Sequence, residues 1–139
     1  MVRRRPATGR VARRVKLFFD GSCRPPPIGM ATAVVIRGKS YIARDLGPGS
    51  SMDAEWLALI DAMQRAYDQE LIDPVLLGDA AAVIAQANET ARCPPAYRHH
   101  LERFRLLPRP AGRVRIRYVK RTQNLAGIAL AGLRLTMRA

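Results

Sequence analysis

The chain has few acidic residues, few cysteines and no long hydrophobic run. Its 139 residues include 11 Asp and Glu against 24 Lys and Arg, so the formal net charge is +13. No apolar run approaches the roughly 20 residues that a membrane-spanning helix needs, and we expect no membrane association. Two cysteines, Cys23 and Cys93, in an Arg-rich chain without a secretory leader predict free thiols and a cytoplasmic location.

The excess positive charge is carried almost entirely by arginine, whose planar guanidinium group suits bidentate contacts to phosphate. A polyanionic partner is the leading interpretation, and nucleic acid is the commonest one. A genome of high GC content, which encodes Arg where Lys would serve, is an alternative explanation that can hold at the same time. Residues 1–14 contain no acid, and Pro6 and Gly9 disfavour a helix there. We therefore predict a basic, disordered arm at 1–14 and a single domain at 15–139.

The apolar pattern predicts an α/β fold. The predicted order is three strands, helix, strand, two helices, strand and helix, at 15–20, 31–37, 41–46, 50–70, 74–77, 79–87, 97–107, 114–118 and 123–135. A meander followed by β–α units implies a mixed sheet with helices on its faces.

Three acidic residues lie where a purely structural role is awkward. Asp20 ends an apolar strand before a tight turn predicted at Gly21, Glu55 lies on the apolar face of its helix, and Asp79 follows an apolar strand. Burying an ionised carboxylate is costly without compensation, and a divalent cation relieves the repulsion between clustered acids. Oxygen ligands favour Mg²⁺ or Mn²⁺. Taken singly, Asp20 could begin a turn, Glu55 could be a first-turn acid, and Asp79 could be a helix N-cap.

Four motifs strengthen the interpretation as a metal site. They are the run Phe19-Asp20-Gly21-Ser22-Cys23, the pair Ala54-Glu55, the pair Gly78-Asp79, and Val119-Lys120-Arg121-Thr122-Gln123-Asn124 with Leu130-Ala131. In this order, over 15–131, the chain resembles the ribonuclease H family, type 1.

The resemblance implies a ribonuclease H-like, five-stranded mixed sheet flanked by helices. It also implies a metal-dependent endoribonuclease that cleaves the RNA strand of RNA–DNA hybrids, and we expect a monomer. Carried over, Asp20, Glu55 and Asp79 are the catalytic residues and hold two Mg²⁺ (or Mn²⁺) ions. The residues implied to contact nucleic acid are Gly21, Ser22, Cys23, Ser51, Arg121 and Asn124.

The chain departs from the family pattern at several polar positions. The family's fourth carboxylate falls on Ile128, or on Gly127 if the alignment shifts by one residue. The alternative is therefore a catalytically weakened or inactive ribonuclease H-like module that binds nucleic acid through the arm, the helix at 97–107 and the strand at 113–117. A structural protein bound to a ribosome or another partner is a third possibility. His99 and His100, on the basic helix, are expected to be solvated or to touch phosphate.

Overall fold

The computed structural model describes residues 14–138, and the side chains only as far as residue 132. The predicted arm therefore lies outside the described residues except for Arg14, and the proposed domain boundary stays a prediction. Among the described residues, no helix combines the length and the apolarity required to cross a bilayer.

Five strands form one mixed sheet, and four α-helices pack around it. The strands are β1 (Lys16–Arg24), β2 (Gly29–Ile36), β3 (Lys39–Ala43), β4 (Val75–Gly78) and β5 (Arg115–Tyr118). The helices are α1 (Ser51–Asp68), α2 (Ala81–Ala87), α3 (Arg98–Leu106) and α4 (Leu125–Arg138), with short 3₁₀ segments at Pro95–Tyr97 and Arg121–Gln123. The strand order is β3-β2-β1-β4-β5; the β1–β2 and β2–β3 pairs are antiparallel, and the β1–β4 and β4–β5 pairs are parallel. The predicted element order and the five-stranded mixed sheet are confirmed.

The central strand β1 has a hydrophobic core on each side, because successive side chains point to opposite faces of a sheet. Leu17 and Phe19 are buried in the larger core, which includes Trp56 of α1. Phe18 packs against the smaller core, which includes Ala126 and Leu130 of α4. Helix α1 thus covers one face of the sheet and α4 covers the other.

Helix α1 begins where its sequence predicts. The Ser50 hydroxyl accepts a hydrogen bond from the Asp53 backbone N–H at 3.0 Å, and the Asp53 carboxylate accepts one from the Ser50 N–H at 2.9 Å. This reciprocal pair is a capping box, which satisfies N–H groups that the first turn leaves unpaired. The predicted apolar face is also confirmed, since Leu59, Ala62 and Ala66 are buried.

The tight turn predicted at Gly21 is wrong. Strand β1 continues to Arg24, and Gly21 is paired with Thr32 of β2 in the antiparallel ladder. The glycine is needed for a different reason: a Cβ atom at this position would overlap the backbone carbonyl of Ala54. The absence of a side chain therefore lets α1 approach β1 directly beside Asp20 and Glu55.

We predict that Gly21→Ala destabilises the domain by about 1–3 kcal/mol, the usual cost of forcing extra atoms into a packed site. The matched control is Gly132→Ala in α4, where an added Cβ meets nothing within 4 Å. Alanine is favoured over glycine in a helix, so the control should leave stability unchanged or raise it slightly. Urea unfolding of both variants is the measurement, and equal stabilities would contradict the close approach of α1.

Candidate metal centre

Three different elements bring Asp20, Glu55 and Asp79 together. Asp20 lies within β1, Glu55 lies near the start of α1, and Asp79 directly follows β4. Because β1 and β4 are parallel neighbours, Asp20 and Asp79 lie at the same end of the sheet, toward the carboxyl ends of the paired parts of these strands. One carboxylate oxygen from each residue lies within 4.8 Å of the other two, and all three residues are partly buried.

Burial and mutual repulsion of the three acids change the acidity of the cluster. Burial, followed by the negative charges of Asp20 and Asp79, raises the pKa of Glu55 to about 7, while Arg121 acts in the opposite direction. The Arg121 Nε lies 4.0 Å from the Asp79 Oδ2. One exposed guanidinium group thus offsets part of the charge of three acids.

The donor set fits a divalent cation. Three carboxylates from three separate elements converge on one point, and hard oxygen ligands of this kind suit Mg²⁺ or Mn²⁺. The N-cap alternative for Asp79 is wrong, because α2 is capped at Ala80 without a side-chain hydrogen bond. The side chain of Asp79 is therefore not occupied by helix capping.

The three acids line a cleft of about 690 Å³. Five of the residues predicted to contact nucleic acid line the same cleft: Gly21, Ser22, Cys23, Ser51 and Arg121. The Cys23 thiol donates to the Gly49 carbonyl at 2.9 Å, which ties the end of β1 to the loop before α1. The structure thus gathers the acids and these five neighbours around one opening.

Asn124 lies apart from this group. It is completely buried, although the family motif implied a contact with nucleic acid. Its amide Nδ2 donates to the Phe19 carbonyl at 3.0 Å, and its Oδ1 accepts from the Ala126 N–H at 3.1 Å. The side chain therefore fastens the start of α4 to β1, next to Asp20, and its full burial keeps it away from any ligand in the cleft.

Helix α4 contributes apolar residues to the cleft. Ile128 lines it with 56% of its surface exposed, and Gly127 lies beside it. A Cβ atom at position 127 would lie 3.3 Å from the Asp20 Oδ2, which is tighter than an ordinary contact. Position 128 therefore has more room for a larger side chain at the rim of the cleft.

The burial of His100 was not predicted. His100 is buried, and its Nε2 lies 2.8 Å from the Oδ1 of Asp53, the third residue of α1 and a member of its capping box. The expectation of a solvated His100 is wrong because α3 packs this ring toward Trp56, whereas His99 is exposed. Asp53, His99 and His100 together form a second group of residues that could donate ligands to a metal. The capping box was readable from sequence, but its histidine partner lies 47 residues away.

We predict that metal-free stability depends on pH through Glu55. The folded pKa, about 7, lies above the ordinary value of 4.5, so this contribution is fully present below about pH 4.5 and is lost as the pH rises through 7. Glu55→Gln mimics the protonated side chain, so its stability advantage over the unmodified protein should grow between pH 5 and pH 8. Urea unfolding in a chelator measures this difference, and Mg²⁺ should reduce it by stabilising the carboxylate. Glu102→Gln on the exposed face of α3 is the control, and an advantage independent of pH would contradict the coupling.

Comparisons with known proteins agree with this geometry. A family model described as reverse transcriptase-like matches residues 19–133. No curated protein matches the chain significantly.

Solved structures provide a second comparison. The ribonuclease H1 of the halophilic archaeon Halobacterium salinarum is 27% identical with a TM-score of 0.71, over 84% of this chain and 93% of that one. The N-terminal ribonuclease H domain of rv2228c from Mycobacterium tuberculosis is 18% identical with a TM-score of 0.68, over 87% and 98%. LC11-RNase H1, solved in complex with an RNA/DNA hybrid, is 15% identical with a TM-score of 0.62, over 80% and 88%. The last two show the fold alone.

The family model spans most of the chain, and its matched region contains all three acids of the cluster. The chain therefore belongs to the ribonuclease H family, type 1, within the group described as reverse transcriptase-like.

Proposed function

We propose that this protein is a metal-dependent endoribonuclease that cleaves the RNA strand of RNA–DNA hybrids. The observation that carries the proposal is the convergence of Asp20, Glu55 and Asp79 within 4.8 Å at an open cleft. Membership of the ribonuclease H family supports the reaction class, and the hybrid bound to LC11-RNase H1 supports the substrate class.

In this proposal the three acids hold two divalent ions, Mg²⁺ or Mn²⁺. When bound, such ions would supply activation of a water molecule and stabilisation of the leaving oxygen of the phosphodiester. Burial and the neighbouring acids raise the pKa of Glu55 to about 7, and a bound cation would favour its ionised form. Asp20, within β1, and Asp79, directly after β4, would be the other two ligands.

Other residues of the cleft would bind and orient the substrate. Arg121 is 91% exposed beside Asp79, so its guanidinium can reach a phosphate without leaving the site. Ser22, Cys23 and Ser51 offer small polar groups along the wall of the cleft. A nuclease that selects RNA must sense the 2′-hydroxyl, and groups of this size close to the acids can accept or donate to it. A monomeric state and a cytoplasmic location stay predictions.

One observation favours a second candidate, a ribonuclease H-like module that binds nucleic acid but cuts it slowly or not at all. Ile128 and Gly127, the two positions on which the family pattern would place a fourth carboxylate, both line the same cleft. An isoleucine side chain offers no ligand atom. The remaining three carboxylates must then hold the cations alone or with water, which weakens the site without changing the fold.

We predict that Asp20→Asn lowers Mg²⁺- or Mn²⁺-dependent cleavage of a labelled hybrid at least about 100-fold, because metal ions supply several kcal/mol of transition-state stabilisation. Binding of the hybrid should persist. The matched control is Asp68→Asn, which removes an acid from the exposed end of α1 and should cut normally. An unmodified protein that binds the hybrid but leaves it intact with both metals would refute the enzyme and support the binding module.

We further predict that Ile128→Asp raises the cleavage rate about tenfold at limiting Mg²⁺, because a fourth carboxylate strengthens the hold on cations. Ile128→Asn is the matched control, since it has nearly the same size without the charge. The measurement is the initial rate against Mg²⁺ concentration. Equal rates for the two folded variants would argue against a metal-facing position 128.

A further inference from the structure

One face of the sheet carries a row of basic residues beside α4. The strand register places Lys16, Val75 and Arg115 side by side across β1, β4 and β5, and Phe18, Leu77 and Arg117 form the next row. These rows point away from the larger core, because the intervening Leu17, Leu76 and Ile116 are buried in it. Helix α4 packs on this face over β1, β2 and β3, so the basic residues of β5 lie to one side of it.

Five basic residues make up this region, which we call the basic sheet surface: Arg14, Lys16, Arg113, Arg115 and Arg117. All are exposed except Arg115, which is partly buried. Partial burial, together with the positive charges of Arg14, Arg113 and Arg117, lowers the pKa of Arg115. The guanidinium groups are therefore close enough to repel one another, and such a concentration of charge suits a polyanion.

Asp73 lies at one end of the surface, and its side chain accepts a hydrogen bond from the backbone. The Asp73 Oδ1 accepts a hydrogen bond from the Arg113 backbone N–H at 2.7 Å. That contact positions the residues just before β5 and does not involve the guanidinium group of Arg113. The described chain also begins here, at Arg14, and the thirteen residues before it in the sequence include five arginines.

The basic sheet surface extends along β5 from the end of the sheet that holds the candidate metal centre. Strands β1, β4 and β5 run in the same direction. Arg113, Arg115 and Arg117 therefore form a line that runs toward the end of the sheet where Asp20 and Asp79 lie. Alternate residues of a strand are about 6.6 Å apart, and strands two apart are separated by about 10 Å. The basic sheet surface can therefore contact several successive phosphates.

The shape of this path selects a flexible ligand. Arg113, Arg115 and Arg117 lie in one line along a single strand, so they can follow one phosphate backbone. A duplex with a persistence length of about 50 nm resists bending to follow such a line, whereas a single strand is flexible enough to do so.

We propose that the basic sheet surface binds a single-stranded extension of a nucleic acid whose duplex part lies in the cleft. The proposal rests on the proposed function only for the position of the duplex, and it does not require cleavage. It assigns Arg113, Arg115 and Arg117 to the phosphates of the extension. A single-stranded tail would then add affinity that a blunt duplex lacks.

The test measures binding of two labelled RNA–DNA hybrids by fluorescence anisotropy in EDTA, where no cleavage occurs. One hybrid is blunt, and the other carries a single-stranded tail of roughly 12 nucleotides, within the usual site size of single-strand binders. We expect the tail to strengthen binding by the unmodified protein about tenfold at low salt. The triple variant R113Q/R115Q/R117Q should lose this gain and keep its affinity for the blunt hybrid.

A second triple variant controls for net charge. R37Q/K39Q/R44Q removes three exposed positive charges around β3, at the opposite edge of the sheet. It should keep the tenfold gain, and thermal unfolding of both triple variants verifies that they fold. Three outcomes would overturn the proposal: no gain from the tail, the same gain in the first triple variant, or an equal loss in both.

The experiments distinguish a failure of the proposed nuclease from a failure of the proposed single-strand surface. A protein that gains affinity from the tail but never cuts a hybrid with Mg²⁺ or Mn²⁺ refutes the nuclease and retains the single-strand surface. A protein that cuts hybrids but ignores the tail retains the nuclease and refutes the surface.

Discussion

The mutual repulsion of three carboxylates is the constraint on which the site depends. Two like charges at the separation of Asp20, Glu55 and Asp79 repel by on the order of 3 kcal/mol per pair at the effective dielectric of a protein surface. The backbone of three elements must hold them against that force. The raised pKa of Glu55 shows the response available without a cation, which is to keep a proton. Attraction for divalent metal and reluctance to ionise are thus two consequences of one arrangement.

The position of α1 determines whether this arrangement exists, and several contacts from distant parts of the chain fix it. Gly21 allows the close approach to β1, and the Cys23 thiol anchors the loop before the helix. Within the helix, the indole N–H of Trp56 donates to Gln86 of α2 at 3.0 Å. The Nε2 of His100, on α3, lies 2.8 Å from the Oδ1 of Asp53 in the capping box. Glu55 therefore lies on a turn that is held from the sheet and from both helices that follow, which limits its freedom to move away from the other acids.

The sequence predicted what depends on local pattern. Element order followed from apolar periodicity, and the three acids were recognisable because each stands where burial of a charge needs an explanation. Errors arose where contacts distant in the chain override local signals. Asp20-Gly21-Ser22-Cys23 has the composition of a turn, yet the ladder with β2 keeps it extended. Asn124 and His100 are polar residues in basic surroundings, and only contacts 105 and 47 residues away show that they are buried.

Among the described residues, three acids line the cleft, and this number is consistent with the distribution of charge over the whole molecule. A nuclease site must attract cations with acids and must also admit a polyanion that those acids repel. With Ile128 in the cleft, three carboxylates oppose the approaching phosphate, and Arg121 lies beside them. The net charge of +13 adds long-range attraction for the same polyanion. In the proposed function, this distribution of charge favours binding of nucleic acid over retention of metal. Since a phosphate oxygen can itself coordinate a divalent ion, tight substrate binding would compensate for weak binding of metal to the free protein.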